Sequence, residues 1–346
     1  MKVGIGVRLG NRTDKNYLQF ASQVGAPYAI ISWPDKEIIP SAFEKPWPVE
    51  ELQNLKKFYA ENGMKIEGFE NIMPEYYYKV LLDMPGKQEQ MDYIKTCISN
   101  MGKAGIPVMG YNFTLSGVIA RASGNWARGG AETVRFTLAN APVNDEVPAG
   151  TIFDRVMFDA PKGNRPEITL EEITQSRDWF LSELMPVAEE AGVKLAAHPE
   201  DPPVPKLRNT ARILINPERF DEMFAKFDSP SNCIEFCQGT FAETGEDVYD
   251  IIRHFASKDK IGYVHFRNIK GNLKSEVPEY TEAFIDEGDI DMVRALKIYK
   301  ECNYTGMFMP DHTPDVSISN PTAIGMAHAI GYIRGIMKTL DIEIQD

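Results

Sequence analysis

The sequence predicts an α/β chain folded as a (β/α)8 TIM barrel, with a long insertion after the fourth strand. Short apolar runs alternate with longer amphipathic segments along most of the chain, the rhythm of parallel strands joined by right-handed helical crossovers. Eight such units are counted, and eight is the number that closes a barrel. An open doubly wound sheet would call for a phosphate loop. No GxGxxG or GxxxxGK[ST] occurs, and the glycines of VGIGVRLGNR are wrongly arranged for one.

The elements follow in order. Residues 2–7 (KVGIGV) read as a strand, 14–24 as a helix stopped by Gly25, and 28–32 (YAIIS) as the second strand. The helix over 48–62 has Pro and Glu at its start and Gly63 as its stop. Strand three is 64–71, a helix covers 88–103, and strand four is 106–113 (IPVMGYNF). Beyond the insertion, the helix over 168–191 opens on a capping box, Thr169 with Glu172. Strand five is 193–198 (VKLAAH), followed by a helix over 216–227, and strand six is 232–237 (NCIEFC), followed by one over 246–257. Strand seven is 260–266 (KIGYVHF) with a helix from 289, and strand eight is 306–310 (GMFMP) with the last helix over 321–339.

Residues 114–168 break this rhythm. They are rich in Gly, Ala, Asn and Pro, and so long a segment inside a compact chain predicts a functional lid or an insertion. Trp126, Phe136, Phe153 and Phe158 argue against disorder. Residues 1–346 are read as a single barrel domain carrying that lid.

The formal net charge of −13 disfavours nucleic acid and anionic membranes as partners. No stretch approaches the ~18 apolar residues of a membrane span, and MKVGIGVRLG lacks the apolar core of a leader. The cysteines, Cys97, Cys233, Cys237 and Cys302, form no CxxC pair and no disulfide framework. These features predict a cytoplasmic enzyme acting on a small molecule, and the fold class predicts a homo-oligomer. The tyrosines at 76–78 read either as an exposed contact surface or as packing beneath a neighbouring loop.

Four residues carry the chemistry: His198, Cys237, His265 and Asp311. They stand at the ends of strands five to eight, so a closed barrel would bring them to one face. Imidazole, thiolate and carboxylate together suit a borderline divalent ion such as Mn, Fe, Co or Zn, whereas Mg and Ca prefer oxygen. Glu200 or Asp201 is placed to orient a metal-bound histidine. Glu235 shares the face of Cys237 by the two-residue strand period. His254 and His328 fall in helices, outside this pattern.

At HPEDPP, EFCQGT, VHFRN, PDH and the upstream GYNF, the chain resembles the mannonate dehydratase family. Glu70 and Asn71, the NWAR segment and the DEGDIDM run add to the likeness, which extends over most of the chain. The resemblance implies a xylose-isomerase-like barrel and a hydro-lyase reaction of carbohydrate metabolism, D-mannonate to 2-keto-3-deoxy-D-gluconate. It implies Mn²⁺ or Fe²⁺ held by His198, Cys237, His265 and Asp311, with His312 as the acid/base. Asn112 and Arg267, with Glu70 and Trp126, would contact the sugar acid. The chain departs from the family after His312, at Met309 and in the insertion, which reads GYNFTLSGVIARASGNWARGG. No tyrosine occurs between His312 and Tyr332, where the family carries one that acts with the histidine, and Met309 stands in place of an arginine. Tyr111, Arg128 and His328 are then the candidates for the missing proton donor. A metal-dependent sugar or sugar-acid isomerase or epimerase, which needs no such donor, is the alternative reaction.

Overall fold

The computed structural model describes residues 1–153, 155–157 and 162–345, so Phe158 lies outside the described residues. Eight parallel strands close into a barrel in the order one, eight, seven, six, five, four, three, two. They are Lys2–Val7, Tyr28–Ser32, Lys65–Glu70, Val108–Tyr111, Lys194–Ala197, Asn232–Cys237, Ile261–His265 and Met307–Met309. Each is followed by a helix as expected, and the capping box of Thr169 and Glu172 is formed. Strand four is shorter than its apolar run. Pro107 has no N–H to pair at one end, and past Tyr111 the chain leaves the barrel.

Two short helices have no counterpart in the sequence reading, Pro74–Leu81 and Gln238–Glu243. The first is only eight residues long and buried on nearly all sides. It carries the tyrosine run, which is packed inside: Tyr76 stacks on Phe43 with ring centroids 4.6 Å apart, and its hydroxyl donates to the Pro34 carbonyl. The exposed-surface reading is therefore wrong.

Strand alternation divides the core. Tyr28, Ile30, Val108, Ala196, Tyr263, Met307 and Met309 form one cluster, in the lumen. Neighbours of opposite parity, including Ile31, Met109, Tyr111, Leu195, Val264 and Phe308, pack outward into the larger core shared with the helices. The lumen is crowded. A Cβ on Gly110 would stand 2.6 Å from the Tyr263 hydroxyl and 2.7 Å from Glu235 Oε2.

Part of the insertion is regular. Its strands Arg121–Gly124 and Thr133–Thr137 pair antiparallel and continue into a hairpin, Asn268–Asn272 with Glu279–Ala283, set between strand seven and the helix Met292–Glu301. Two loops far apart in sequence thus build one four-stranded cap sheet. Phe136 and Tyr280 stack between them at 5.5 Å. The hairpin escapes a sequence reading because NIKGN has little apolar pattern of its own. Among the described residues, no helix is long and apolar enough to cross a membrane.

The Gly110→Ala substitution is expected to destabilise the metal-free protein by about 1–3 kcal/mol through overpacking. Urea unfolding measures this, and an unchanged midpoint would contradict the lumen packing.

Candidate functional site

The inward parity of each strand runs on to its mouth. Gly4 and Gly6 lead to Arg8, Ile30 to Ser32, Gly68 to Glu70, and Gly110 to Asn112. Ala196 leads to His198, Glu235 to Cys237, Tyr263 to His265, and Met309 to Asp311. Each strand contributes one side chain to a ring at the C-terminal end of the barrel, where such barrels carry their chemistry. All of these except Cys237 line a cleft of about 380 Å³, joined by Trp33, Asn71, Arg121, Asp201 and His312. Cys237 lies fully buried below.

His198, Cys237 and His265 offer three donor atoms within 4.8 Å of one another. Asp311 stands beside them, with Oδ2 3.4 Å from His265 Nδ1. His265 Nε2 faces Glu235 Oε1 at 3.1 Å and Glu70 Oε2 at 3.5 Å, so Glu235 does lie against this centre. Both ring nitrogens of His265 and both carboxylate oxygens of Glu235 are buried without a hydrogen-bond partner. Such groups are costly to bury unsatisfied, and a divalent cation would satisfy them. The donor set therefore fits a borderline first-row ion.

The charges agree. Burial alone would raise the Cys237 thiol, but the Arg267 guanidinium and the adjacent imidazoles of His198 and His265 hold it well below its ordinary value. Arg267 Nε donates to the sulfur at 3.2 Å and Thr240 Oγ1 does so at 3.1 Å. Asp311 is likewise held well below the carboxylate range: burial opposes this, and His265 and His312 outweigh it. Burial works to lower His198, yet Glu235 and Cys237 bring it up to about 9. Burial and the nearby Glu70 push Glu235 up to about 8. Without a cation, protons on the imidazoles balance the acids. Ligation requires the neutral ring, so metal uptake must release them.

His312 bridges two carboxylates. Nδ1 is 2.8 Å from Glu282 Oε1 and Nε2 is 3.1 Å from Asp311 Oδ2. Arg8 donates to the Asp311 carbonyl at 3.1 Å and also to its carboxylate. Arg121, from the cap sheet, donates to Glu282.

Asn112 and Glu70 line the cleft with His312 and the metal donors. The other expected residues do not. Arg267 is buried beneath the floor, where Nη2 binds Asp201 at 2.8 Å and Glu243 at 2.9 Å, so it holds protein carboxylates. Tyr111 has outward strand parity and packs on Phe180 at 5.4 Å. Arg128 pairs with Asp286 at 2.8 Å, and His328 reaches the same carboxylate at 3.2 Å, both on the outer surface. Trp126 stacks under Arg135 at 4.5 Å in a separate groove on the cap. Neither acid of HPEDPP orients His198: Glu200 pairs with Arg212 at 3.0 Å, and Asp201 binds Arg267 and the Tyr280 hydroxyl. The sequence reading missed Arg8, Ser32, Arg121 and Glu282. Counting inward parity from Gly4 and Ile30 would have found the first two. No local signal marks Arg121 or Glu282.

The family model described as D-mannonate dehydratase (UxuA) matches residues 30–346. The chain is 28% identical over 334 residues to the mannonate dehydratase of Lactococcus lactis subsp. cremoris, covering 88% of this chain and 87% of the relative. It is 29% identical over 276 residues to that of Streptococcus equi subsp. zooepidemicus, covering 77% and 74%. Among solved structures, mannonate dehydratase from Streptococcus suis serotype 2 superposes with a TM-score of 0.77 at 24% identity, over 100% of this chain and 96% of that one. A D-psicose 3-epimerase from Clostridium cellulolyticum H10 superposes at 0.58 with 12% identity, over 97% and 99%. These two likenesses show the shared fold.

Replacing Cys237 with Ala is expected to remove most of the bound divalent metal, read by elemental analysis; full retention would break the ligand assignment. Below about pH 9 His198 carries a proton in the metal-free protein. Metal affinity should therefore rise with pH up to that point, with proton release on binding. Calorimetric titration in buffers of different ionisation enthalpy checks the sign.

Proposed function

We propose, from the premise that this chain belongs to the D-mannonate dehydratase family, that it removes water from D-mannonate to give 2-keto-3-deoxy-D-gluconate. The observation that carries this reading is the ring of donors at the barrel mouth, with His312 set directly beside it. We assign His198, Cys237, His265 and Asp311 as the residues that hold the ion, with Mn²⁺ or Fe²⁺ favoured by the mixed imidazole, thiolate and carboxylate set. When bound, the ion supplies positive charge that stabilises the negative charge developing as a proton leaves the carbon α to a carboxylate.

The chain's own residues do the rest. The base takes the proton from C2, the electron pair forms the C2–C3 double bond, and the C3 hydroxyl departs with a proton as water. The resulting enol gains a proton at C3 and loses one from its hydroxyl, giving the 2-keto acid. His312 is the acid/base, since it lines the cleft and its Nε2 lies beside Asp311. Arg8 and Arg121 line the cleft and supply cationic groups for the substrate carboxylate. Asn112 and Glu70 are placed for its hydroxyls.

One observation favours a second reading. Among the described residues, no tyrosine lines the cleft, so the leaving-group donor of the family has no visible counterpart. A metal-dependent isomerase or epimerase acting on a sugar or sugar acid needs none.

Metal-loaded protein incubated with D-mannonate should form a 2-keto-3-deoxy acid lighter by one water. A product of unchanged mass would select isomerisation or epimerisation, and no turnover at high enzyme would reject both. His312→Asn should lower kcat by about 10²–10⁴-fold while metal content stays at the wild-type level.

A further inference from the structure

We infer that Glu282 is the positioning residue for His312, and that the cap sheet thereby becomes part of the catalytic machinery. The inference rests on the dehydratase reading for the identity of the reaction, but its geometry stands apart from it. Glu282 belongs to the strand Glu279–Ala283, outside the barrel, and its side chain is 7% exposed. Its Oε1 lies 2.8 Å from His312 Nδ1, and among the described residues no other hydrogen bond to Nδ1 is made. His312 itself follows a barrel strand by three residues and is only partly buried, and its Nε2 faces Asp311 Oδ2 at 3.1 Å. The Glu282 carboxylate fixes the ring from the Nδ1 side.

Glu282 is held by both cap strands of the insertion. Arg121, on the insertion strand, donates to its carboxylate, and Thr133 Oγ1, on the neighbouring strand, donates to its backbone carbonyl at 2.9 Å. The acceptor therefore stays in place when the histidine moves a proton. A carboxylate at Nδ1 requires a proton there, so once Asp311 is engaged as a metal ligand, Nε2 is the nitrogen left to exchange a proton at the cleft. Nε2 is the nitrogen beside Asp311, where the reacting carbons would sit. A carboxylate that holds a catalytic imidazole this way acts through orientation and charge, without touching substrate.

Two measurements test this. Histidine labelled with ¹⁵N in the zinc-loaded protein gives five residues to resolve, and the His312→Asn spectrum assigns one. The expected result is a hydrogen-bonded Nδ1–H on His312 in the wild type that is lost in Glu282→Ala. An unchanged Nδ1–H signal in the variant would overturn the inference, whatever the substrate proves to be. In turnover, Glu282→Ala should lower kcat by ~10²-fold or more with KM little changed, and Glu282→Asp should recover part of the loss. If KM rises while kcat holds, Glu282 only fastens the cap. If the wild type shows the Nδ1–H signal but does not turn over D-mannonate, the dehydratase reading fails and the positioning role stands.

Discussion

Everything at the mouth of this barrel depends on the two-residue period of a parallel strand in a closed sheet. Alternate residues of each strand enter the lumen, and the register holds the eight strand ends level enough for their last inward residues to share one layer. Cys237 lies opposite His265 in that register, and His265 lies opposite Met309, two residues before Asp311. A shift of one residue in any strand would replace a donor by an apolar neighbour meant for the helices.

Placing so many ionisable groups in one enclosed layer creates an electrostatic problem. Cys237, Asp311, Glu70 and Glu235 are buried together, and His198, His265 and Arg267 offset them only in part. Arg267 acts as an internal counter-charge, joining the thiolate to Asp201 and Glu243. The remaining mismatch is stored as protons on the two imidazoles and in the unpartnered atoms of Glu235 and His265. A divalent cation would resolve it and so link the fold's stability to metal binding.

The cap adds a second level of organisation. The barrel aligns donors that lie on rigid strands, whereas His312 lies just past a strand end and is reached by a carboxylate from a sheet that the barrel does not contain. That sheet also carries Arg121 into the cleft. The site thus draws Arg121 and Glu282 from two loops outside the barrel.

By itself the sequence determined the barrel, its eight strands and the four candidate metal donors, because apolar period and strand-end position are local properties that survive without tertiary context. It also contained Arg8 and Ser32, through the same parity count. It did not determine that Tyr111 faces outward, although GYNF held that information once Gly110 was known to face the lumen. Only the tertiary structure decided which charged groups meet. Arg267 could serve substrate or protein until Asp201 and Glu243 were found at its guanidinium, and Arg128 and His328 belonged to the site only until Asp286 was found between them. Glu282 and Arg121 lie 161 residues apart, and both lie far from a barrel strand's inward pattern. Their meeting depends on pairing between two loops, and such long-range pairing leaves no periodic trace in either segment.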